Sequence, residues 1–136
     1  MTGKEIETMI ALATAAKLEG AESLLDTERV RRVCNGIGPA WAPQTVRDIL
    51  NRFAPPLVVT SWIHDLDYDT GGAEADRIAA DDRMYHNGLK VANFLFPWWH
   101  YKRYRYRRRA LELRAALAIG GEAAFTYINK KKDEDK

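Results

Sequence analysis

The sequence predicts an all-α protein: a small helical domain with an antiparallel pair of long helices and a basic C-terminal helix. Apolar residues recur at helical spacing, as in Ile6, Met9, Ile10, Ala13 and Ala16. Few segments alternate with the period of two that a half-buried strand needs. Glycine pairs such as Gly71-Gly72 and Gly120-Gly121 stand between long periodic stretches, where they end one helix and allow the next to fold back.

The elements follow in order. Thr2 offers a cap for a helix from Lys4 to about Glu19. A short helix is expected over Thr27–Val33. Asn35-Gly36-Ile37-Gly38-Pro39 then breaks regular structure, because two glycines and a proline in five residues mark a loop. Gln44–Phe53 reads as a short helix closed by Ala54-Pro55-Pro56. Leu57–Tyr68 reads as a buried helix, although Val58-Val59-Thr60 alone suits a strand. Asp69-Thr70-Gly71-Gly72 ends it. A second long helix runs from Ala73 to about Leu95, amphipathic through Ile78, Met84 and Leu89. Pro97 is expected to open a third, which continues to Ala118. Residues 1–129 are expected to form one domain, and Lys130–Lys136 a charged, solvated tail.

At 136 residues the chain can bury one modest core. Its net charge of +2 argues for no particular partner, and 46% hydrophobic residues are ordinary for a globular protein. Cys34 is the only cysteine, which excludes an intrachain disulfide and a cysteine-rich zinc site. Lys4, Glu5 and Glu7 precede any apolar stretch, so no signal peptide is expected, and no apolar run approaches bilayer length.

The chemistry concentrates in His64-Asp65-Leu66-Asp67-Tyr68. On a helix His64 and Tyr68 share a face, and Asp65 lies about 100° round from His64. Histidine can take a proton from water near neutral pH, provided a carboxylate on its far ring nitrogen fixes the tautomer. If Gly71-Gly72 turns the chain between antiparallel helices, residues equidistant from the turn face each other, and this pairs His64 with Asp81. Asp76 and Asp82 remain alternatives, one small register shift away. Asp65 and a glycine-rich loop with free carbonyls would suit a hard cation such as Ca2+, which accepts oxygen ligands in flexible number.

Cys34-Asn35-Gly36-Ile37-Gly38-Pro39, then His64-Asp65-x-x-Tyr68, then Ala80-Asp81-x-x-Met84 resembles the ordered motifs of the phospholipase A2 superfamily. The likeness is nearest to small cysteine-poor members from phages, prophages and parvovirus capsid proteins, and it covers roughly Val33 to Leu89. It implies a calcium-dependent hydrolase of the phospholipid sn-2 ester. His64 would activate water, Asp81 would orient His64, and Tyr68 would hydrogen-bond Asp81. Asp65 would hold Ca2+ with carbonyls near Cys34, Gly36 and Gly38, and the Gly36 N–H would join the oxyanion hole. The chain lacks the disulfides of secreted members, and Met84 stands where an aromatic residue or leucine is usual. The alternative is a non-catalytic structural or accessory virion protein that keeps the fold. Either way the resemblance implies a protein made in a host cytoplasm, with association with a virion left open.

Outside that match, six of the eight residues Lys102–Arg109 are basic, interleaved with Tyr104 and Tyr106 and preceded by Phe94-Leu95-Phe96-Pro97-Trp98-Trp99. Trp98, Trp99, Lys102, Arg103, Arg105, Arg107, Arg108 and Arg109 are the candidate surface residues. Three partners stay open: a phospholipid membrane surface, nucleic acid, or another (virion) protein. Charge all round this helix favours docking over plain solvent exposure.

Overall fold

The computed structural model describes residues 2–34, 51–121 and 125. The protein is all-α, and no strand occurs among these residues. Helix α1 spans Gly3–Ala15 and α2 spans Thr27–Val33, with a 3-10 turn at Ala21–Leu25 between them. A second 3-10 turn, Pro55–Leu57, leads into α3 (Val58–Thr70), which is followed by α4 (Glu74–Leu95) and α5 (Tyr101–Gly120). The expected helix at 44–53 lies outside the described residues except for 51–53, which are helical. The charged tail lies outside them too.

Local chemistry sets most helix starts. The Thr2 hydroxyl accepts from the Glu5 N–H at 3.1 Å and Asp26 accepts from the Arg29 N–H at 3.2 Å, each satisfying a first-turn donor that has no intrahelical partner. Asp76 reaches back to the Ala73 N–H at 2.8 Å at the start of α4. Helix α1 stops four residues short of the expected Glu19. Lys17 takes a left-handed φ of 57°, the Leu18 N–H bonds the Ala13 carbonyl, and the Lys17 N–H bonds the Thr14 carbonyl. This is a Schellman end made without glycine, sealed by burial of Leu18. Pro97 does not open α5. Residues 97–99 form a turn closed by the His100 N–H on the Pro97 carbonyl, and His100 Nδ1 caps α5 by accepting from the Lys102 N–H at 3.1 Å.

Helix α3 is the central element. Val59, Thr60, Ser61, Trp62, Ile63, His64, Leu66 and Tyr68 are all buried, so no solvent face exists for a strand-like alternation at Val58-Val59-Thr60. The Thr60 and Ser61 hydroxyls return to the carbonyls of Leu57 and Val58, which satisfies these polar groups inside the core. Its Ile63 and Leu66 belong to one core with Ile6, Leu24, Val30, Leu57 and Val91 from the surrounding elements. Gly71 and Gly72 have φ of 71° and 140°, values that L side chains rarely adopt, and they reverse the chain so that α4 packs antiparallel to α3.

The buried face of α4 is Arg77, Ala80, Asp81, Met84, Asn87, Gly88, Val91 and Ala92. It keeps helical period, but three of its eight residues, Arg77, Asp81 and Asn87, are polar. Ile78, expected on the apolar face, is 42% exposed. Helix α5 packs along α4, and Gly88 permits the close approach: a Cβ there would lie 2.8 Å from Ala110 Cβ. Gly88→Val is therefore expected to lower stability by about 1–3 kcal/mol through overpacking, measured as a shift in the urea midpoint at unchanged slope. Among the described residues no helix is long and apolar enough to cross a membrane.

Candidate functional site

The glycine turn brings α3 and α4 together so that His64 meets Asp81. His64 Nε2 lies 2.8 Å from Asp81 Oδ1, and the Tyr68 hydroxyl, one turn further along α3, donates to the same oxygen at 2.5 Å. The His64 and Tyr68 rings are 4.0 Å apart between centroids. Asp81 is 1% exposed and His64 5%. Bonding through Nε2 leaves Nδ1 as the ring nitrogen able to exchange a proton, and among the described residues Nδ1 has no hydrogen-bond partner. The alternatives for the carboxylate are engaged elsewhere: Asp76 caps α4, and Asp82 is an exposed residue paired with Arg114 at 2.8 Å.

Sequence reasoning missed the other half of this shell. Arg77 reaches the second Asp81 oxygen at 3.3 Å, and Arg114, from α5, comes within 3.8 Å of it. Arg77 also pairs with Glu74 and donates to the Leu117 carbonyl at 3.4 Å. Phe125 packs edge-on against Tyr68 at 5.2 Å. The C-terminal helix is thus part of the site's wall rather than an appendage. A hint lay in the sequence, since Arg77 is four residues before Asp81 and helical neighbours at that spacing touch.

These contacts set the charge state. Burial pushes the Asp81 carboxyl up, but the hydrogen bonds from His64 and Tyr68, with the nearby cations, outweigh it and hold it below the usual carboxylate range. Burial together with the Asp81 charge pushes the Tyr68 phenol up, so it remains a donor.

Asp65 lies one residue from His64. Burial raises its carboxyl well above the ordinary value, and among the described residues the group has no hydrogen-bond or ion-pair partner. Its charge also acts on Cys34, so two of the candidate ligands are neighbours. The Cys34 thiol itself donates to the Trp62 carbonyl at 3.3 Å and is pushed up by burial, which leaves only the Cys34 backbone carbonyl as a ligand for a hard cation. Gly36 and Gly38, the remaining candidate ligands, and the Gly36 oxyanion donor lie outside the described residues. Among the described residues no three His, Cys, Asp or Glu side chains are grouped to hold a metal. Asp65, a half-buried carboxylate with no partner among the described residues, does fit a calcium site completed by backbone carbonyls. A groove of about 210 Å³ beside the glycine turn is lined by Asp67, Asp76, Ala80 and Arg83 among others, and His64 is not among its walls.

Trp98 and Trp99 are 72% and 67% exposed at the corner between α4 and α5. Lys102, Arg103, Arg105, Arg107, Arg108 and Arg109 follow on α5. At 1.5 Å per residue, Leu95 at this corner is about 21 Å along α4 from Asp81, so the tryptophan corner is separate from the His64 site. Compared with protein-family models, with curated proteins and with solved structures, the chain gives no match. The reading of the site therefore rests on its residues and their geometry.

Proposed function

We propose that the chain is a calcium-dependent, phospholipase A2-like hydrolase of phage type that cleaves the sn-2 ester of phospholipids. The observation that carries the reading is His64 Nε2 on a buried Asp81 carboxylate that also receives the Tyr68 hydroxyl. In this reading His64 Nδ1 takes a proton from the attacking water and later gives it to the leaving alkoxide. Asp81 holds the ring in the required tautomer and stabilises the imidazolium. Tyr68 fixes the Asp81 carboxylate, and Arg77 and Arg114 keep it ionised. Asp65, with carbonyls of Cys34, Gly36 and Gly38, would hold Ca2+, which when bound supplies electrophilic stabilisation of the ester oxygen.

A second reading is a virion protein that keeps the fold without turnover. The shell of partners around Asp81 favours it, because that shell fastens α3, α4 and α5 together whether or not chemistry occurs. One experiment separates the two. Fluorescent phospholipid is expected to be hydrolysed in calcium, with activity lost in a chelator and in His64→Ala. Absence of turnover, or turnover that survives His64→Ala in a folded variant, would sink the hydrolase reading.

A further inference from the structure

We infer that the corner between α4 and α5 is a docking surface for anionic lipid bilayers, on which Phe94, Leu95, Trp98 and Trp99 enter the interface and the basic face of α5 lies against the headgroups. This deepens the proposed function by naming the surface on which the substrate is met, yet the geometry behind it is independent of His64.

The apolar part is large and held out to solvent. Phe94 is 51% exposed, Leu95 41%, Trp98 72%, Trp99 67% and Tyr101 61%, all within eight residues. Exposed apolar residues scattered singly need no explanation, but a contiguous set does. The corner is also built. Phe96 stacks on Tyr106 at 5.7 Å and lies 5.4 Å from His100, His100 caps α5, and the Tyr104 hydroxyl donates to the Trp98 carbonyl at 2.6 Å. The two tryptophans are therefore presented on a braced turn, which lowers the ordering cost of binding.

The charge beside it has little acidic compensation among the described residues. No acidic residue occurs between Asp82 and Glu112. Among the described residues Arg108 is the one cation of the Lys102–Arg109 stretch with a carboxylate partner, Glu112 at 3.3 Å. Its neighbours use neutral supports: Arg103 and Arg107 donate to the Asn93 side-chain amide oxygen, Arg105 lies over the Tyr101 ring and Arg109 over the Phe53 ring. Guanidinium groups positioned by an amide and by ring faces keep their full charge, so the surface selects an anionic partner. Both an anionic bilayer and a nucleic acid meet that condition. Leu95 and the run of apolar side chains decide between them. An aliphatic chain gains nothing from stacking on bases but gains from hydrocarbon, while tryptophan and tyrosine suit the headgroup layer.

The test uses the full chain in a chelator, so that hydrolysis does not consume the vesicles. Co-sedimentation is measured with vesicles of pure phosphatidylcholine and of phosphatidylcholine mixed with phosphatidylglycerol, alongside binding to duplex DNA and single-stranded RNA at the same salt. The expected result is binding to the anionic vesicles alone, weakened by added salt, with a blue shift of tryptophan emission. Trp98→Ser/Trp99→Ser is expected to weaken it by about tenfold or more, and Arg105→Gln/Arg107→Gln to reduce the preference for anionic lipid, with helicity by circular dichroism unchanged in both. No sedimentation, equal binding to both vesicle types, full binding by the tryptophan variant, or tighter binding to nucleic acid than to vesicles would each overturn the inference. Lipid turnover is read separately, so loss of hydrolysis with vesicle binding retained would count against the hydrolase reading alone.

Discussion

Asp81→Ala is expected to lower stability by about 3–5 kcal/mol, the cost of leaving buried charges without their partner, and, on the proposed hydrolase reading, to reduce lipid turnover by about four orders of magnitude. Four side chains converge on this carboxylate: His64, Tyr68, Arg77 and Arg114. Arg77 is only 8% exposed and would lose its carboxylate partner on the same helix one turn away, and His64 would lose the group that sets its tautomer. Asp81→Asn keeps the volume and an acceptor for Tyr68, so its stability loss is expected to be smaller while turnover stays low. Urea unfolding and a fluorescent lipid assay on the same preparations measure both effects. The sign of the pH effect follows from the lowered Asp81 carboxyl. Its contribution is complete above the ordinary carboxylate value of about 3.9 and is lost as pH falls through its lower folded value. The acid arm of the stability curve below about pH 4 is therefore expected to flatten in Asp81→Asn. A loss under about 1 kcal/mol in Asp81→Ala would show that water screens the shell as it does a surface pair.

His64 and Asp81 were legible because the information is local: two helical periodicities and a two-glycine turn place residues equidistant from Gly71-Gly72 opposite each other. Thr2 announced its helix for the same reason, and so did Tyr68, one turn from His64. What escaped the sequence was whatever depends on packing. Lys17 ends α1 in a left-handed conformation with no glycine to signal it. Ile78 faces water while Asp81 and Asn87 are buried, so hydropathy misread the inward face of α4. The His100 ring replaces the expected Pro97 as the start signal of α5. Arg77 and Arg114 were hidden because long cationic side chains ordinarily face water. Arg114 approaches Asp81 from α5, a contact between two elements that no single segment reveals. The candidate cation ligands divide the same way. Asp65 stands beside His64 in the sequence, but its lack of a partner among the described residues is a property of the fold.

Asn87→Ala is the second large loss expected, about 2–5 kcal/mol, at a residue with no part in the proposed chemistry. Asn87 is fully buried, and its amide oxygen accepts from the Glu19 N–H while its amide nitrogen donates to the Glu19 carbonyl, both at 2.9 Å. One side chain thus satisfies both backbone groups of a residue in an irregular turn that has no helix or sheet to do so. Leaving each of these groups unpaired costs about 1–3 kcal/mol. The same turn carries Lys17 and Gly20 at positive φ, conformations that persist only while surrounding contacts hold them. At Gly20 a Cβ would meet Ile63 of the central helix, so the turn is pressed against α3 as well as tied to α4. Asn87→Asp keeps the acceptor but sets a carboxylate against the Glu19 carbonyl, and is expected to be nearly as damaging. Asn93→Ala, on the exposed end of the same helix where the amide supports Arg103, is expected to change stability by no more than about 0.5 kcal/mol. Hydrogen exchange at the Glu19 amide reads the lost bond directly and should accelerate in Asn87→Ala ahead of global unfolding. The contrast with Asp81 is the informative one. At temperatures where both variants remain folded, Asn87→Ala is expected to retain turnover and Asp81→Asn to lack it. If both lose turnover alike, the dependence on Asp81 reflects helix packing rather than its contact with His64.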